Sequence, residues 1–112
     1  MLRTPSDFAA LSAAPGVTTP LLGVRHRTVQ SSEAAASLRI GIATSRKVGN
    51  AVVRNRIRRR LKSIARELAP QVRPGAEILI GVRAAASTAT SAELRAALTE
   101  CLRRARLFEV SA

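Results

Sequence analysis

Apolar residues recur at helical spacing in the middle of the chain, within residues 51–68. Successive members of the series are separated by four, four, three and four positions. An α-helix turns by about 100° per residue, so this spacing gathers the series on one face. The stripe consists of Val53, Ile57, Leu61, Ile64 and Leu68. The pattern predicts an amphipathic helix that packs this stripe against a core.

Two shorter segments also have helical patterns. Thr90 and Glu93 have the spacing of a capping box, which predicts that a helix begins near residue 90. Apolar residues then recur every three or four positions, which predicts that Cys101 lies in the core. These residues are Leu94, Leu98, Cys101, Ala105 and Phe108. Near the beginning of the chain, residues 4–13 predict a short first helix with Phe8 on its apolar side.

A strand is predicted for residues 21–29, where apolar and basic residues alternate. One face of this strand carries Leu22, Val24 and His26. The opposite face carries Arg25 and Arg27. Pro20 has no N–H to donate to a sheet, so the strand should begin after it or lie at an edge. His26 fits a strand residue at the rim of the core better than a catalytic residue, because no partner for it is evident.

Two further strands are predicted downstream. In residues 38–45, Ile40 and Ile42 share an apolar face, and the opposite face is small and partly basic because it carries Arg39. Residues 77–83 form a nearly continuous apolar run, which predicts a strand that is buried on both faces. Strands and helices are therefore mixed along the chain.

The composition limits the size and nature of the core. A chain of 112 residues is enough for one compact domain and too short for two. Hydrophobic residues make up 46% of it, but Phe8 and Phe108 are its only Phe, Tyr or Trp residues, so an aliphatic core is expected. A helix needs about 20 apolar residues to span a bilayer, and no apolar run of the chain approaches that length. The first residues lack the pattern of a signal peptide. A cytoplasmic location is therefore expected.

The charge is strongly unbalanced and concentrated. There are 19 Lys and Arg residues against 7 Asp and Glu, a net charge of +12. Nine of the basic residues lie between Arg46 and Arg66, where there is no acid. A solvated helix face usually mixes the two signs, because like charges at i and i+4 repel each other. The concentration predicts a surface that binds a polyanion, with nucleic acid as the first expectation and an anionic membrane as the second.

The approach to the predicted basic helix fits the same role. Arg46 and Lys47 lie between the preceding strand and the helix. Gly49 permits a turn that a side chain would resist, and Asn50 can cap the helix. The free N–H groups at the start of a helix suit a phosphate. Strand end, turn and helix are thus expected to form one continuous basic surface.

Candidate catalytic and metal-binding groups are few. Cys101 and His26 are each the single residue of their type, so no intramolecular disulfide is possible and a zinc site of four protein ligands is not expected. The motifs contain no paired carboxylates, and Ser45 has no neighbouring base. Neither catalysis by the protein itself nor a metal site on it is expected.

One stretch of the chain identifies a family. Residues 39–67 read RIGIATSRKVGNAVVRNRIRRRLKSIARE and closely resemble the bacterial ribonuclease P protein component. Members of that family carry a strand that ends in a Ser-Lys-Lys-like element, followed by Val-Gly-x-Ala-Val and by an Arg-Asn-Arg helix. The matching positions are Ser45-Arg46-Lys47, Val48-Gly49-Asn50-Ala51-Val52 and Arg54-Asn55-Arg56. The order of elements over the rest of the chain agrees more weakly.

The resemblance implies a fold and a function. The fold would be a single α+β domain over residues 1–112, an α/β sandwich of order α-β-β-β-α-β-α. Its four-stranded sheet would contain a left-handed crossover through the basic helix, against the usual right-handed rule. The function would be that of the protein subunit of ribonuclease P, a ribonucleoprotein whose catalytic RNA cuts precursor tRNA to form the mature 5′ end. Mg²⁺ would be bound mainly by the RNA subunit and the substrate, and the catalytic groups would lie on the RNA.

The resemblance also implies two surfaces that contact RNA. The residues that would face the catalytic RNA are Arg46, Lys47, Asn50, Arg54, Asn55, Arg56, Arg58, Arg59, Lys62 and Arg66. A cleft between the first helix and the sheet would bind the 5′ leader of precursor tRNA, and its candidate residues are Phe8, Ser12, Arg25, Arg27, Arg39 and Ser45. Family members often have a second aromatic residue where this chain has Ser12, so leader binding is expected to depend more on charge. Phe8 fits packing in the core as well as it fits the cleft.

Three other classes of function remain to be weighed. A structural protein that binds ribosomal RNA would have a similar size and charge, and it is the main alternative. A DNA-binding protein is not expected, because the basic helix has few base-reading residues beyond Asn55 and no helix-turn-helix partner. A membrane-surface helix is not expected either, because Trp and Phe are lacking at the edge of the apolar stripe.

Overall fold

The computed structural model of the protein describes residues 15–28 and 39–108. In chain order the strands and helices are β1 (Gly16–Thr18), β2 (Leu22–Thr28), β3 (Arg39–Thr44), α1 (Ala51–Leu68), β4 (Ala76–Val82) and α2 (Ser91–Arg104). Short 3-10 helices cover Arg46–Val48, Ala69–Gln71 and Ala84–Thr88. The predicted first helix, with Phe8 and Ser12, lies outside the described residues.

The four strands form one sheet in the order β1-β2-β4-β3. β1 pairs with β2 and β2 pairs with β4 in antiparallel orientation, whereas β3 and β4 are parallel. The parallel pair is joined through α1, so the crossover through the basic helix is as predicted. The left-handed sense of this connection stays a prediction. The mixed α+β architecture with a four-stranded sheet is confirmed.

A turn at Pro20 separates the first two strands. Leu22 N donates to Thr19 Oγ1 at 3.1 Å, and Thr19 N donates to Leu22 O at 2.7 Å. These hydrogen bonds close a turn around Pro20 that needs no donor from it. β2 therefore begins after Pro20, as predicted. β1 was not predicted from the alternation of residues, because three residues are too few to show a pattern.

One face of the sheet forms the core with the two long helices. Leu22 and Val24 of β2 lie opposite Val82 and Ile80 of β4, and all four are buried. His26 lies opposite the next buried β4 residue and is itself half-buried, so it is a strand residue at the rim of the core, as predicted. β4 is internal to the sheet, which explains its nearly continuous apolar run. It is buried along most of its length, although its outward-facing Leu79 is half-buried.

Both helices contribute the predicted apolar stripes. On α1 the members Ile57, Leu61, Ile64 and Leu68 are buried, and Val53 is partly buried against them. On α2 the buried residues include Leu94, Leu98 and Cys101. The helix ends at Arg104, earlier than predicted, so Phe108 lies beyond it and forms a β-bridge with Val72. Burial raises the pKa of the Cys101 thiol, which keeps it in its neutral form. Cys101 is therefore a core residue, as predicted.

Neither a membrane span nor a metal cluster is found in the described part of the chain. Among residues 15–28 and 39–108, no helix is both long enough and apolar enough to traverse a bilayer. Over the same residues, no group of three His, Cys, Asp or Glu side chains is arranged to hold a metal ion.

Candidate nucleic-acid interface

The outward face of α1 is a basic surface that begins at a well-defined helix start. Asn50 is the N-cap residue, and its Oδ1 accepts a hydrogen bond from Val53 N at 3.0 Å. This satisfies one of the N–H groups that the first turn of a helix leaves without a backbone partner. The predicted capping role of Asn50 is confirmed. Asn50 is exposed, and its side-chain NH₂ group is not used in this cap.

Gly49 lies in the turn between the 3-10 helix Arg46–Val48 and the N-cap of α1. Its φ of 152° lies in a region that L-residues rarely adopt. A Cβ atom built on Gly49 would also come within 3.0 Å of the side chain of Val53. Both the backbone angle and the close contact require glycine at this position. The sequence prediction of a glycine-dependent turn before the helix is therefore confirmed.

Arg46 and Lys47 lie on the 3-10 helix that leads into this turn. Both are exposed, whereas the adjacent Val48 is buried. The buried valine fixes the short helix to the core, and the two cations face solvent beside the start of α1. Ser45 precedes them at the end of β3 and is also exposed. The strand end, the 3-10 helix and α1 thus all expose polar or basic residues, and their continuity as one binding surface stays a prediction.

The basic residues of α1 fall into two groups by burial. The exposed group consists of Arg56, Arg59, Lys62 and Arg66, and the polar Asn55 is exposed beside them. Arg54, Arg58 and Arg60 are half-buried. The Nε atom of Arg54 is buried and lacks a hydrogen-bond partner among the described residues, and Arg60 donates to Ala89 O at 3.4 Å. The exposed group is therefore the part of the helix that is fully available to a ligand.

No carboxylate of the described residues neutralises this exposed group. The described ranges contain four acidic residues, Glu67, Glu77, Glu93 and Glu100. Each is engaged elsewhere. Glu67 pairs with Arg95, and Glu77 pairs with two arginines of the sheet. Glu93 belongs to the cap of α2, and Glu100 pairs with two arginines of α2. The exposed cations of α1 consequently retain their charge for an external anion.

A surface depression of about 440 Å³ lies in the middle of this face. It is lined by Val52, Asn55, Arg58, Arg59 and Lys62. Arg58 Nη1 approaches Asn55 Oδ1 at 3.5 Å, the long limit of a hydrogen bond, so both polar groups stay adaptable.

The other predicted surface is the outer face of the sheet, where Arg25, Arg27 and Arg39 share one side. Arg27 and Arg39 lie directly opposite Glu77 of β4, from the strands on either side of it. Arg27 Nε donates to Glu77 Oε1 at 2.5 Å, and Arg39 Nη1 donates to Glu77 Oε2 at 2.8 Å. The Glu77 side chain is only 1% exposed, so this is a buried carboxylate held by two guanidinium groups.

Glu77 was not predicted as a site residue, and it changes the interpretation of this face. Two guanidinium groups against one carboxylate leave a net charge of +1 along the row, not +2. The sequence signal was an acid that opens an otherwise apolar strand, because a buried acid usually has a charged partner. Its partners could not be named from the sequence, since they depend on the register of β2 and β3 against β4.

A recess of about 430 Å³ lies beside this row on the sheet. Gly23 lies opposite Gly81, which in turn lies opposite Ala43, so three small residues leave room across three strands. Arg25 and Arg83 line the recess as well. A Cβ atom added at Gly81 would meet only Gly23 O, at 3.8 Å, so the space is open. The predicted cleft residues Phe8 and Ser12 lie outside the described residues and are not placed against it.

Comparison with known proteins agrees with these features. A model of the family described as Ribonuclease P matches residues 1–106. The ribonuclease P protein component of Symbiobacterium thermophilum is 42% identical over 81 residues, which cover 72% of this chain and 70% of that protein. The protein of the same name from a Mycobacterium species is 41% identical over 68 residues, which cover 61% of this chain and 58% of the relative.

Solved structures have the same fold. A mutant of the RNase P protein from Staphylococcus aureus matches with a TM-score of 0.84 at 25% sequence identity. The match covers 96% of this chain and 88% of that one. The family model, the sequence relatives and this structural likeness agree with the motif in residues 39–67. The chain therefore belongs to the bacterial ribonuclease P protein family.

Proposed function

We propose that this chain is the protein subunit of a ribonuclease P, which binds the catalytic RNA and assists in the maturation of tRNA 5′ ends. The observation that carries the proposal is the exposed basic group of α1, which has no acidic partner among the described residues. The RNA partner would neutralise a surface that the fold itself leaves charged. Its phosphates would be bound by the exposed basic residues of α1 together with Arg46, Lys47 and the side-chain NH₂ group of Asn50.

The 5′ leader of precursor tRNA is assigned to the outer face of the sheet. The recess floored by Gly23, Ala43 and Gly81 gives the leader room, and Arg25 lines that recess. Glu77 holds Arg27 and Arg39 in place, so their exposed edges would meet the leader in fixed positions. The proposal for this face rests on the sheet alone, because the predicted first helix lies outside the described residues.

Mg²⁺ is assigned to the RNA subunit and the substrate, and the described residues do not fit a site for it. Mg²⁺ prefers carboxylate oxygens and retained waters. Both oxygens of the buried Glu77 carboxylate already accept hydrogen bonds from arginines. The other three described carboxylates are used in ion pairs or in the cap of α2. Catalytic groups are accordingly proposed to lie on the RNA.

The identity of the bound RNA tests the proposal directly. The protein would be purified from cells at low salt, and the RNA that accompanies it would be sequenced. We expect one abundant structured RNA of ribonuclease P type. Recovery of ribosomal RNA alone would favour the alternative of a structural ribosomal protein and would contradict the proposal.

Salt dependence of binding tests the role of α1. Binding of a polyanion weakens as salt rises, so log K falls with log salt. Replacing a residue that contacts one phosphate should make this fall less steep, by about 0.7–0.9 in the slope. We expect this for Arg59→Ala, measured with the co-purified RNA transcribed in vitro. Arg103→Ala is the matched control, because Arg103 is an exposed arginine of α2 that pairs with Glu100. Equal slopes for the two variants would show that α1 is not the RNA-binding surface.

A further inference from the structure

Val52 is an apolar residue in the middle of a cationic surface. Its side chain is 74% exposed, and it is the one large hydrophobic residue of the described ranges that is exposed to this degree. Val52 and Arg59 are seven positions apart, so they project in nearly the same direction from α1. That direction is opposite to the buried stripe of Ile57 and Leu61. Val52 thus lies at the outermost part of the basic face.

The other residues that line the depression around Val52 are all polar. It lines the depression on α1 with Asn55, Arg58, Arg59 and Lys62. A scattered surface valine is unremarkable in most proteins. Here the valine shares a depression with three cations and an amide, and this combination has a definite chemical complement. The complement is a ligand with anionic groups at its edges and an apolar surface between them.

The fold does not need a valine at this position. A β-branched residue has a lower helix propensity than Ala, Lys or Arg, so Val52 does not favour α1. An acidic residue in the first turn would stabilise the helix, and α1 has none there. With three quarters of its side chain in water, Val52 also adds little to the core.

We propose that Val52 makes an apolar contact with the ribose and base edge of the RNA subunit, between phosphates that are held by Arg59 and Lys62. RNA presents such a surface in the wide, shallow minor groove of an A-form helix and at unstacked nucleotides. The cations supply attraction that does not depend on position along the backbone. The valine contact fixes the register, because it is lost when the helix slides. A second copy of this chain is disfavoured as the occupant, because two basic faces repel each other.

This inference rests on the proposed function, and its test separates the two. The probe is the RNA that co-purifies with the protein, transcribed in vitro, and binding is measured at several salt concentrations. Val52→Ala removes two methyl groups and should weaken binding by roughly tenfold. Val52→Thr keeps the shape and branching of valine, and should also weaken binding because it puts a hydroxyl against the apolar surface. Val52→Ile should bind at least as well as the wild type.

The salt slope distinguishes an apolar contact from an ionic one. Both weakened variants should keep the wild-type slope, whereas Arg59→Ala should flatten it. Ser91→Ala is the control for a small change at an exposed position away from α1, and it should match the wild type. Thermal unfolding should show that all variants remain folded, because these side chains are exposed.

Each other outcome has a definite meaning. If Arg59→Ala flattens the slope but Val52→Ala and Val52→Thr bind like the wild type, the apolar contact is wrong and RNA binding by α1 stands. If Val52→Ala flattens the slope as much as Arg59→Ala does, Val52 acts through the cations and the inference is overturned. If none of the variants changes binding, the proposed RNA-binding face fails as a whole.

Discussion

The two long helices are alike on the side that faces the core and differ in the charges on the side that faces solvent. α1 and α2 each bury an apolar stripe in one core. The outer face of α2 alternates acids and bases: Glu100 pairs with Arg103 and Arg104 three and four positions later. The exposed residues of α1 include arginines and a lysine at the same spacings, and its one acid, Glu67 in the last turn, pairs with Arg95 of α2.

The charges at the two ends of α2 favour the helix. Glu93 lies in the first turn and Arg103 and Arg104 in the last, where each complements the helix dipole. Hydrogen bonds from Arg103 and then Arg104 hold the pKa of Glu100 below its usual range. A capping box joins Thr90 and Glu93. The charges of α2 are therefore used for folding.

Most charges of α1 oppose the helix that carries them, although Arg66 in the last turn complements the helix dipole. Its first turn has no acid, and Arg54 and Arg56 lie in its N-terminal half, where the dipole disfavours cations. Like charges three and four positions apart repel each other by a few tenths of a kcal/mol per pair. The proposed RNA partner would offset this loss of stability by neutralising the cations. The contrast between two helices of one core is the physical argument that α1 is the binding element.

The largest expected effect is a loss of stability, and it tests whether the core-facing sides of α1 and α2 contribute equally to the core. Ile57→Ala on α1 and Leu98→Ala on α2 each remove a fully buried side chain and should lower the free energy of unfolding by about 2–5 kcal/mol. Urea unfolding monitored by circular dichroism gives both values. Val52→Ala is the control on α1 and should stay within about 0.5 kcal/mol of the wild type. A loss at Ile57 no greater than at Val52 would show that α1 is not part of the core.

Much of this contrast could be predicted from the sequence. The spacing of Ile57, Leu61 and Ile64 gave the buried face of α1, and Thr90 with Glu93 gave the start of α2. These features are local, because helical periodicity and capping depend on residues within about one turn of each other. The basic face of α1 was equally visible, since residues 46–66 contain no acid.

Features that depend on sheet register could not be predicted. The carboxylate of Glu77 meets Arg27 from β2 and Arg39 from β3, and these residues are 50 and 38 positions away in sequence. Alternation placed the two arginines on the outer face, but not opposite Glu77. The burial of Arg54 and Arg58 beside the stripe also depends on tertiary packing. We therefore choose Arg59, which is exposed, as the test of RNA binding.

An intermediate effect is expected at the start of α2. Thr90→Ala removes Oγ1, which accepts from Glu93 N at 3.1 Å, and should lower the free energy of unfolding by about 1 kcal/mol. The same measurement by urea unfolding applies. RNA affinity should be unchanged, because the cap of α2 is not part of the basic face of α1. Loss of RNA affinity without loss of stability would place the start of α2 in the interface and break the contrast.

The pH dependence of this cap follows from Glu93. The hydrogen bond from the backbone N–H of Thr90 lowers the pKa of Glu93, because it stabilises the carboxylate. A lowered pKa in the folded state means that the contribution is present at neutral pH and is lost as the pH falls through that lowered pKa. The stability difference between the wild type and Glu93→Gln should therefore shrink on acidification. A difference that is independent of pH would show that the carboxylate charge does not act there.

The smallest effect on stability is expected from charge reversal, and it is the sharpest test of the contrast. Arg59 has Arg56 and Lys62 three positions away on either side. Arg59→Glu replaces two repulsions by two attractions, so the protein should be as stable as the wild type or more stable by a few tenths of a kcal/mol. Arg103→Glu on α2 does the reverse, because it removes the pair with Glu100 and puts an acid near the C-terminal end of a helix.

RNA binding should respond in the opposite sense: Arg59→Glu should abolish most of it, and Arg103→Glu should leave it close to wild type. Thermal unfolding and RNA binding at one fixed salt concentration measure both properties on the same samples. If Arg59→Glu destabilised the fold, or if the two reversals weakened RNA binding equally, the outer faces of α1 and α2 would not have the separate roles assigned to them.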